Sequence, residues 1–179
     1  MRGDDDSDDV RDAGHGGGYG CWCGGGGVVA GVDAEGRPAV LGINRPTPYD
    51  VVLIGGLWTA QVPAPRSAAT GARVAVETGR PQAWMRMVQA MGGGQIGLPV
   101  CDVGRVPPQG APAGTPVLVV RDYGMRPPRG RVVSGPWQSV LPLLTYPSPV
   151  APRLLRQVRL AGIRRVSPDE APSWGAPWD

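Results

Sequence analysis

The sequence has no phenylalanine, no lysine and only one asparagine, Asn44. All 18 of its basic residues are arginine, a pattern that the codon usage of a GC-rich genome produces. The arginine content therefore does not by itself indicate a nucleic-acid-binding protein. The arginines are also scattered, with no run longer than Arg164-Arg165, and we predict no nucleic-acid partner.

Histidine and cysteine are too scarce for most nucleophilic and metal-dependent chemistry. The single histidine, His15, lies in a Gly-rich N-terminal segment, where it has no folded Ser or Cys to activate. Cys21 and Cys23 are one residue too close for the usual zinc-ligand pair, and with Cys101 they make an odd number that fits no disulfide framework. The sequence thus predicts no catalytic residue, no metal site and no bound cofactor.

Long apolar runs are also missing. No stretch approaches 18 consecutive apolar residues, and the first 20 residues lack the apolar core of a secretory signal. We therefore expect a cytoplasmic chain without a transmembrane segment. Its net charge of +3 is unevenly placed, because residues 1–12 hold six Asp and two Arg.

What the sequence does contain is a strand–helix–strand pattern. Residues 51–54 form an apolar run of the length of a buried strand, and residues 74–76 form a second. Gly55-Gly56 and Gly71 bound the small-residue segment between them, which has the composition of a helix. This pattern predicts a βαβ unit, and with it a Rossmann-like α/β fold with a mostly parallel sheet.

Two prolines conflict with the crossover helix of this unit. Pro63 and Pro65 lie between Gly56 and Gly71, and a proline in a helix interior costs about 3 kcal/mol. We therefore expect the helix to break or kink there. On the same reasoning, replacing both prolines with leucine is expected to raise stability.

Further elements are predicted around the βαβ unit. Two N-terminal runs suggest a β-hairpin, three segments have helical features, and the other apolar runs suggest strands. The predicted hairpin strands are 28–32 and 39–43, the helices 80–91, 137–144 and 151–161, and the strands 100–103, 117–120, 132–133 and 163–166. Residues 28–170 then form one α/β domain between a disordered acidic and Gly-rich tail, 1–27, and a Pro/Gly/Trp tail, 171–179.

A degenerate nucleotide site is the alternative function. The dinucleotide fingerprint G-x-G-x-x-G requires glycines after the first strand and an acid at the end of the next. Gly55-Gly56 and Glu77 match this in part, but Leu57 and Ala60 occupy the second and third glycine positions. The alternative is thus a Rossmann-like nucleotide-binding protein or enzyme that uses the Gly55-Gly56 turn and Glu77.

Three acids follow predicted strands. Glu77, Asp102 and Asp122 would share the carboxyl edge of a parallel sheet, where α/β proteins bind their ligands. The simpler interpretation is that they are solvated acids at strand ends.

The tryptophans divide into two groups. Trp58, Trp84 and Trp137 fall on faces predicted to be buried, and we interpret them as packing anchors of the core. Trp174 and Trp178 lie in the C-terminal tail and are expected to be exposed or to form a contact surface.

Several stretches carry a family resemblance. They are Pro48-Tyr49-Asp50-Val51-Val52-Leu53-Ile54-Gly55-Gly56-Leu57-Trp58, Arg66-Ser67-Ala68-Ala69-Thr70-Gly71-Ala72-Arg73-Val74, Gly79-Arg80-Pro81 before Trp84, Gly135-Pro136-Trp137-Gln138 and Arg164-Arg165-Val166-Ser167-Pro168. Over residues 28–170 the chain resembles the C-terminal cytosolic region of EccE, a membrane-complex component of actinobacterial type VII secretion systems.

The resemblance implies a non-catalytic scaffold or interaction domain that supports protein export. Its implied partners are other type VII secretion membrane-complex proteins, which would hold it at the inner face of the cell membrane. EccE-like proteins begin with transmembrane helices, which this chain does not have. We therefore expect a truncated or decayed member of the family, or a soluble fragment.

Overall fold

The computed structural model describes residues 27–32, 35–91, 98–107, 110–124, 132–145 and 151–163. Within these ranges the elements, in chain order, are β1 (Val28–Val32), β2 (Pro38–Leu41), β3 (Tyr49–Ile54), α1 (Leu57–Gln61), α2 (Pro63–Ala69), β4 (Arg73–Thr78), α3 (Gln82–Ala90), β5 (Val100–Cys101), β6 (Val117–Asp122), β7 (Gln138–Leu144), α4 (Ala151–Leu155) and β8 (Leu160–Ile163).

The core of the fold is a six-stranded sheet with the order β5-β4-β6-β7-β3-β8, and every neighbouring pair in it is parallel. β1 and β2 form a separate antiparallel hairpin, as the sequence predicts. The predicted α/β class is therefore confirmed. β3 and β4 are parallel members of the same sheet, but β7 and β6 lie between them, so the helical crossover spans two intervening strands.

The central strands are apolar over most of their length because both faces of the sheet are covered. On the first face α1, α2 and α3 contribute Ala60, Ala64 and Trp84 to the main core cluster. On the second face α4 packs Ala151 against the end of β3 and against Leu144 of β7. The predicted helix 80–91 is confirmed as α3, whose buried residue is Trp84.

The crossover is interrupted where the prolines predict an interruption. α1 ends at Gln61 and α2 begins at Pro63, while Val62 between them keeps helical dihedral angles of φ −78° and ψ −54°. Pro63 is the first residue of α2 and Pro65 belongs to its first turn. The expectation that both prolines lie in a helix interior is therefore corrected, because a first turn has no internal hydrogen bond for them to remove.

The predicted helix 137–144 is wrong, since this segment is the central strand β7. Its pairing with β6 is continuous from Gln138 to Leu143. Its pairing with β3 stops after Val140 and resumes at Leu143, on either side of Pro142. Pro142 has no N–H, so it would break a helix, whereas in the sheet it disturbs only the ladder with β3.

A tight turn introduces β7. Pro136 and Trp137 are its central residues, and Gln138 N–H donates to Gly135 O at 3.0 Å. Trp137 has φ 61°, which is the left-handed region that usually requires glycine. Two backbone hydrogen bonds hold it there: its N–H donates to Arg45 O, and its O accepts from Val117 N–H.

The C-terminal part of the described chain is more extended than predicted. The helix expected over 151–161 ends at Leu155, because the chain enters β8 at Leu160 and pairs there with β3. Gly162 is a strand residue opposite Leu53. Residues 132–133 do not form a strand. Both predicted tails except Gly27, residues 164–166 of the predicted last strand, and Trp174 and Trp178 lie outside the described residues.

Candidate functional site

The carboxyl ends of β5, β4 and β6 bring together the three acids that the sequence singles out. Because these strands are parallel neighbours, Glu77, Asp102 and Asp122 all follow or end strands at one edge of the sheet. Asp102 is exposed, as expected. Glu77 and Asp122 are 0% exposed, so their interpretation as solvated strand-end acids is wrong.

Asp122 lies on the first face of the sheet and is surrounded by donors. Arg80 binds it in a two-pronged arrangement, with Nη2 at 2.7 Å from Oδ1 and Nε at 2.9 Å from Oδ2. Trp84 Nε1–H donates to Oδ2 at 2.8 Å, and Thr78 Oγ1–H donates to the same oxygen at 3.1 Å. Gly124 N–H donates to Oδ1 at 3.2 Å. The charge and hydrogen-bonding capacity of this carboxylate are therefore met from within the chain.

Glu77 lies on the second face, beside Arg121 in the register of β4 and β6. Arg121 Nε–H donates to Oε2 at 2.6 Å, and the Arg121 side chain is only 6% exposed. Gly104 N–H donates to Oε1 at 2.6 Å and Tyr123 Oη–H to Oε2 at 3.3 Å. The Arg121 guanidinium also lies 4.8 Å from the centre of the Tyr123 ring. This second ion pair is more deeply enclosed than the first.

Two glycines after strand ends aim their N–H groups at these carboxylates. Gly104 has φ 79° and Gly124 has φ 59°, a region that side-chain-bearing residues rarely enter. Gly124 follows Asp122 by two residues, the spacing of a local turn between an Asp side chain and the backbone. This spacing is a signal in the sequence, whereas the pairing of Glu77 with Arg121 depends on the strand order.

The pKa shifts follow from these contacts. Burial alone would raise the pKa of Asp122, but the hydrogen bonds from Arg80 and Trp84 outweigh it, and the pKa is lowered. The same contact raises the pKa of Arg80. Burial raises the pKa of Tyr123, and burial with the nearby charges of Asp102 and Glu77 raises that of the Cys101 thiol. The thiol is thus held in its protonated, weakly nucleophilic form.

The structure does not bring the two parts of the alternative nucleotide site together. Gly55 ends β3 and Glu77 lies in β4, with two strands between them, a separation of about 14 Å at the usual strand spacing. Gly55 is buried and its N–H donates to Leu144 O at 2.8 Å, so it is not presented to a phosphate. Glu77 is bound by its internal donors.

A second place of interest is the carboxyl end of β3 and β7. β3 leads into α1 on the first face, whereas β7 is followed by α4 on the second face. Diverging connections of neighbouring parallel strands mark the usual ligand-binding position of an α/β sheet. At this position the chain exposes Gly56 and the Trp58 side chain of α1.

The three tryptophans predicted to anchor the core differ in their burial. Trp84 is fully buried, in agreement with its interpretation as a core anchor. Trp137 is half-buried in the turn before β7 and belongs to neither core cluster, so it is not the core anchor that the sequence predicts. Trp58 is 73% exposed, so its interpretation as a core residue is wrong. It lies on the outer side of α1, while the neighbouring Ala60 faces the sheet.

The described residues contain no group of three or more His, Cys, Asp and Glu side chains placed to hold a metal ion. Cys101 is half-buried at the end of β5, and His15, Cys21 and Cys23 lie outside the described residues. None of the described helices has the length and hydrophobicity needed to cross a bilayer.

Comparison with protein-family models, with curated proteins and with solved structures gave no match for this chain. Any functional argument therefore depends on the residues themselves: two enclosed ion pairs at one part of the carboxyl edge, and an exposed tryptophan at another.

Proposed function

We propose that the chain is a non-catalytic scaffold or interaction domain of the kind found in the EccE component of type VII secretion membrane complexes. Its partners would be other proteins of such a complex, and it would lie at the inner face of the cell membrane through them. The observation that carries the proposal is Trp58, a large apolar side chain displayed in one of the stretches that resemble EccE.

The EccE-like stretches correspond to integral parts of the fold. Residues 48–58 contain β3 and the start of α1, and residues 66–74 run from α2 into β4. Residues 135–138 form the turn before β7. The resemblance thus covers β3, the start of α1 and the connection from α2 into β4, which are parts of the first crossover of the sheet, and this supports its use for the domain.

Apolar side chains on the surface support an interaction role. Trp58 is 73% exposed and Val32, in the hairpin, is 70% exposed. Tryptophan is among the residues that most often dominate the binding energy of protein interfaces. The buried carboxylates, in contrast, are enclosed by donors from the chain itself, which is the arrangement of structural ion pairs.

The test is co-purification of the tagged chain with the other type VII secretion components from an actinobacterial host. We expect the wild-type chain to co-purify with them and Trp58→Ala to lose most of this association. Because Trp58 is largely exposed, the substitution should leave the unfolding midpoint nearly unchanged.

Val133→Ser is the matched control, since Val133 is also exposed, at 51%, but lies outside the resembling stretches. It should co-purify as the wild-type chain does. A wild-type chain that remains a free monomer in cells containing those components would refute the proposal. Equal association of Trp58→Ala and wild type would show that Trp58 does not mediate the association.

A further inference from the structure

A group of exposed arginines lies around α4, on the second face of the sheet. Arg153 belongs to α4, Arg156 follows it in a turn, and Arg159 immediately precedes β8; all three side chains are exposed. We call this group the α4 arginine face. The three apolar residues between them pack against the second core cluster, so the segment presents apolar groups inward and guanidinium groups outward: Leu154, Leu155 and Val158.

The positive charge of the α4 arginine face is not neutralised by the described part of the chain. Among the described residues, ion pairs join Arg37 to Glu35, Arg80 to Asp122 and Arg121 to Glu77. None of these pairs includes an arginine of the α4 arginine face. Asp50 is a described acid next to this face in the chain pairing, since its backbone O accepts from Arg159 N–H at 3.1 Å. Its Oδ2 accepts a hydrogen bond from Ser134 Oγ–H at 3.0 Å.

We propose that the α4 arginine face binds the surface of an anionic membrane. Basic side chains near such a surface are attracted by its lipid phosphates, each adding to the affinity. Leu154 and Val158, which lie between the arginines, are only half-buried and leave apolar surface beside the charges. An arginine group with an apolar neighbour fits the interface of a bilayer better than a nucleic-acid backbone, which offers phosphates but little apolar surface.

The surface is separate from Trp58, which belongs to α1 on the opposite face of the sheet. Membrane binding by the α4 arginine face is therefore a property additional to the proposed protein partners, and it does not depend on them. Failure of the chain to co-purify with secretion components would leave this inference standing, and failure to bind membranes would leave the protein–protein proposal standing.

The experiment measures co-sedimentation of the full chain with vesicles of phosphatidylcholine containing phosphatidylglycerol, and with vesicles of phosphatidylcholine alone. We expect binding only to the anionic vesicles, and its loss at 1 M salt, where charges are screened within about 3 Å. R156Q/R159Q should weaken the vesicle affinity by about fivefold per arginine, or about 25-fold for the pair.

R86Q/R105Q is the matched control, since it removes the same net charge. Arg86 lies in α3 on the opposite face and Arg105 follows β5 at the opposite edge of the sheet, and both are exposed. This variant should bind as the wild type does, and circular dichroism should show both variants folded. Equal weakening in both variants would overturn the proposal in favour of a diffuse charge effect. So would the absence of wild-type binding, or tighter binding to a DNA or RNA oligonucleotide than to vesicles.

Discussion

The two buried carboxylates differ in how exposed the partner arginine would be if the carboxylate were replaced by a neutral group. Without Glu77, Arg121 would keep its charge at 6% exposure, with little access to water. Without Asp122, Arg80 would retain water contact, because its side chain is 37% exposed. Removing one member of a buried ion pair costs about 3–5 kcal/mol, mainly because an uncompensated charge stays buried. The Glu77 pair should therefore be the more costly of the two to break.

We predict that Glu77→Gln lowers the free energy of unfolding by about 3–5 kcal/mol. Asp122→Asn should lower it by less, since the Arg80 guanidinium can turn toward water. Urea unfolding of the two variants and the wild type measures the difference directly.

The control is the double variant Glu77→Leu with Arg121→Met, which removes both charges and fills the space with apolar groups. Replacing a whole buried pair in this way is often neutral or stabilising, so the double variant should be more stable than Glu77→Gln. If Glu77→Gln cost less than Asp122→Asn, the argument from the exposure of the remaining arginine would be contradicted.

The positions of these carboxylates could be predicted from the sequence, but their surroundings could not. Acids that follow apolar strands lie at one edge of a parallel sheet, because parallel strands all end at that edge. This rule predicts the positions of Glu77 and Asp122. Their burial depends on Arg121 lying beside Glu77, and this requires that β6 be the neighbour of β4. Strand order is a property of the whole fold that no local pattern of residues records.

At the scale of elements, the same proline chemistry has different effects in α2 and β7. Pro63 begins α2, where its missing N–H removes no bond within the helix, and Ser67 Oγ–H donates to Pro63 O at 2.7 Å. Pro142 lies inside a strand and coincides with a gap in one of its two ladders. The helical spacing of apolar residues around Pro142 gave the wrong prediction because a strand buried on both faces is apolar at every spacing.

We predict that Pro65→Ala leaves the free energy of unfolding unchanged or lowers it by about 0.4–1 kcal/mol. Pro65 is half-buried in the first turn of α2, where proline geometry is compatible and its main effect is to restrict the unfolded chain. Denaturant midpoints of the variant and the wild type provide the measurement. A gain of about 3 kcal/mol would instead mean that α1 and α2 favour one uninterrupted helix, and would restore the expectation from sequence that the prolines oppose it.

At the scale of the whole molecule, acidic and basic groups are distributed differently. The described residues hold five acids, of which Glu77 and Asp122 are buried in ion pairs and Asp50 is half-buried. The other described arginines lie at or near the surface. The described residues, with 11 arginines and five acids, carry a formal charge of +6, compared with +3 for the full sequence, which agrees with a partner of negative charge. The same arrangement makes the stability of the fold depend on the ionised state of Asp122.

Asp122 connects the stability of the fold to pH. Its pKa is lowered in the folded protein from the ordinary value of 3.8, so the unfolded chain takes up this proton first as the pH falls. The stabilisation by Asp122 is therefore complete above about pH 5 and is lost as the pH falls below 3.8 through the folded-state pKa.

We predict that the wild type exceeds Asp122→Asn in urea midpoint at pH 6, and that this difference becomes smaller at pH 3. Asp102→Asn is the control, because it removes an exposed acid from the same edge and should remain close to the wild type at pH 6. A difference between wild type and Asp122→Asn that stayed constant or grew on acidification would mean that the Arg80–Asp122 contact does not stabilise the folded state.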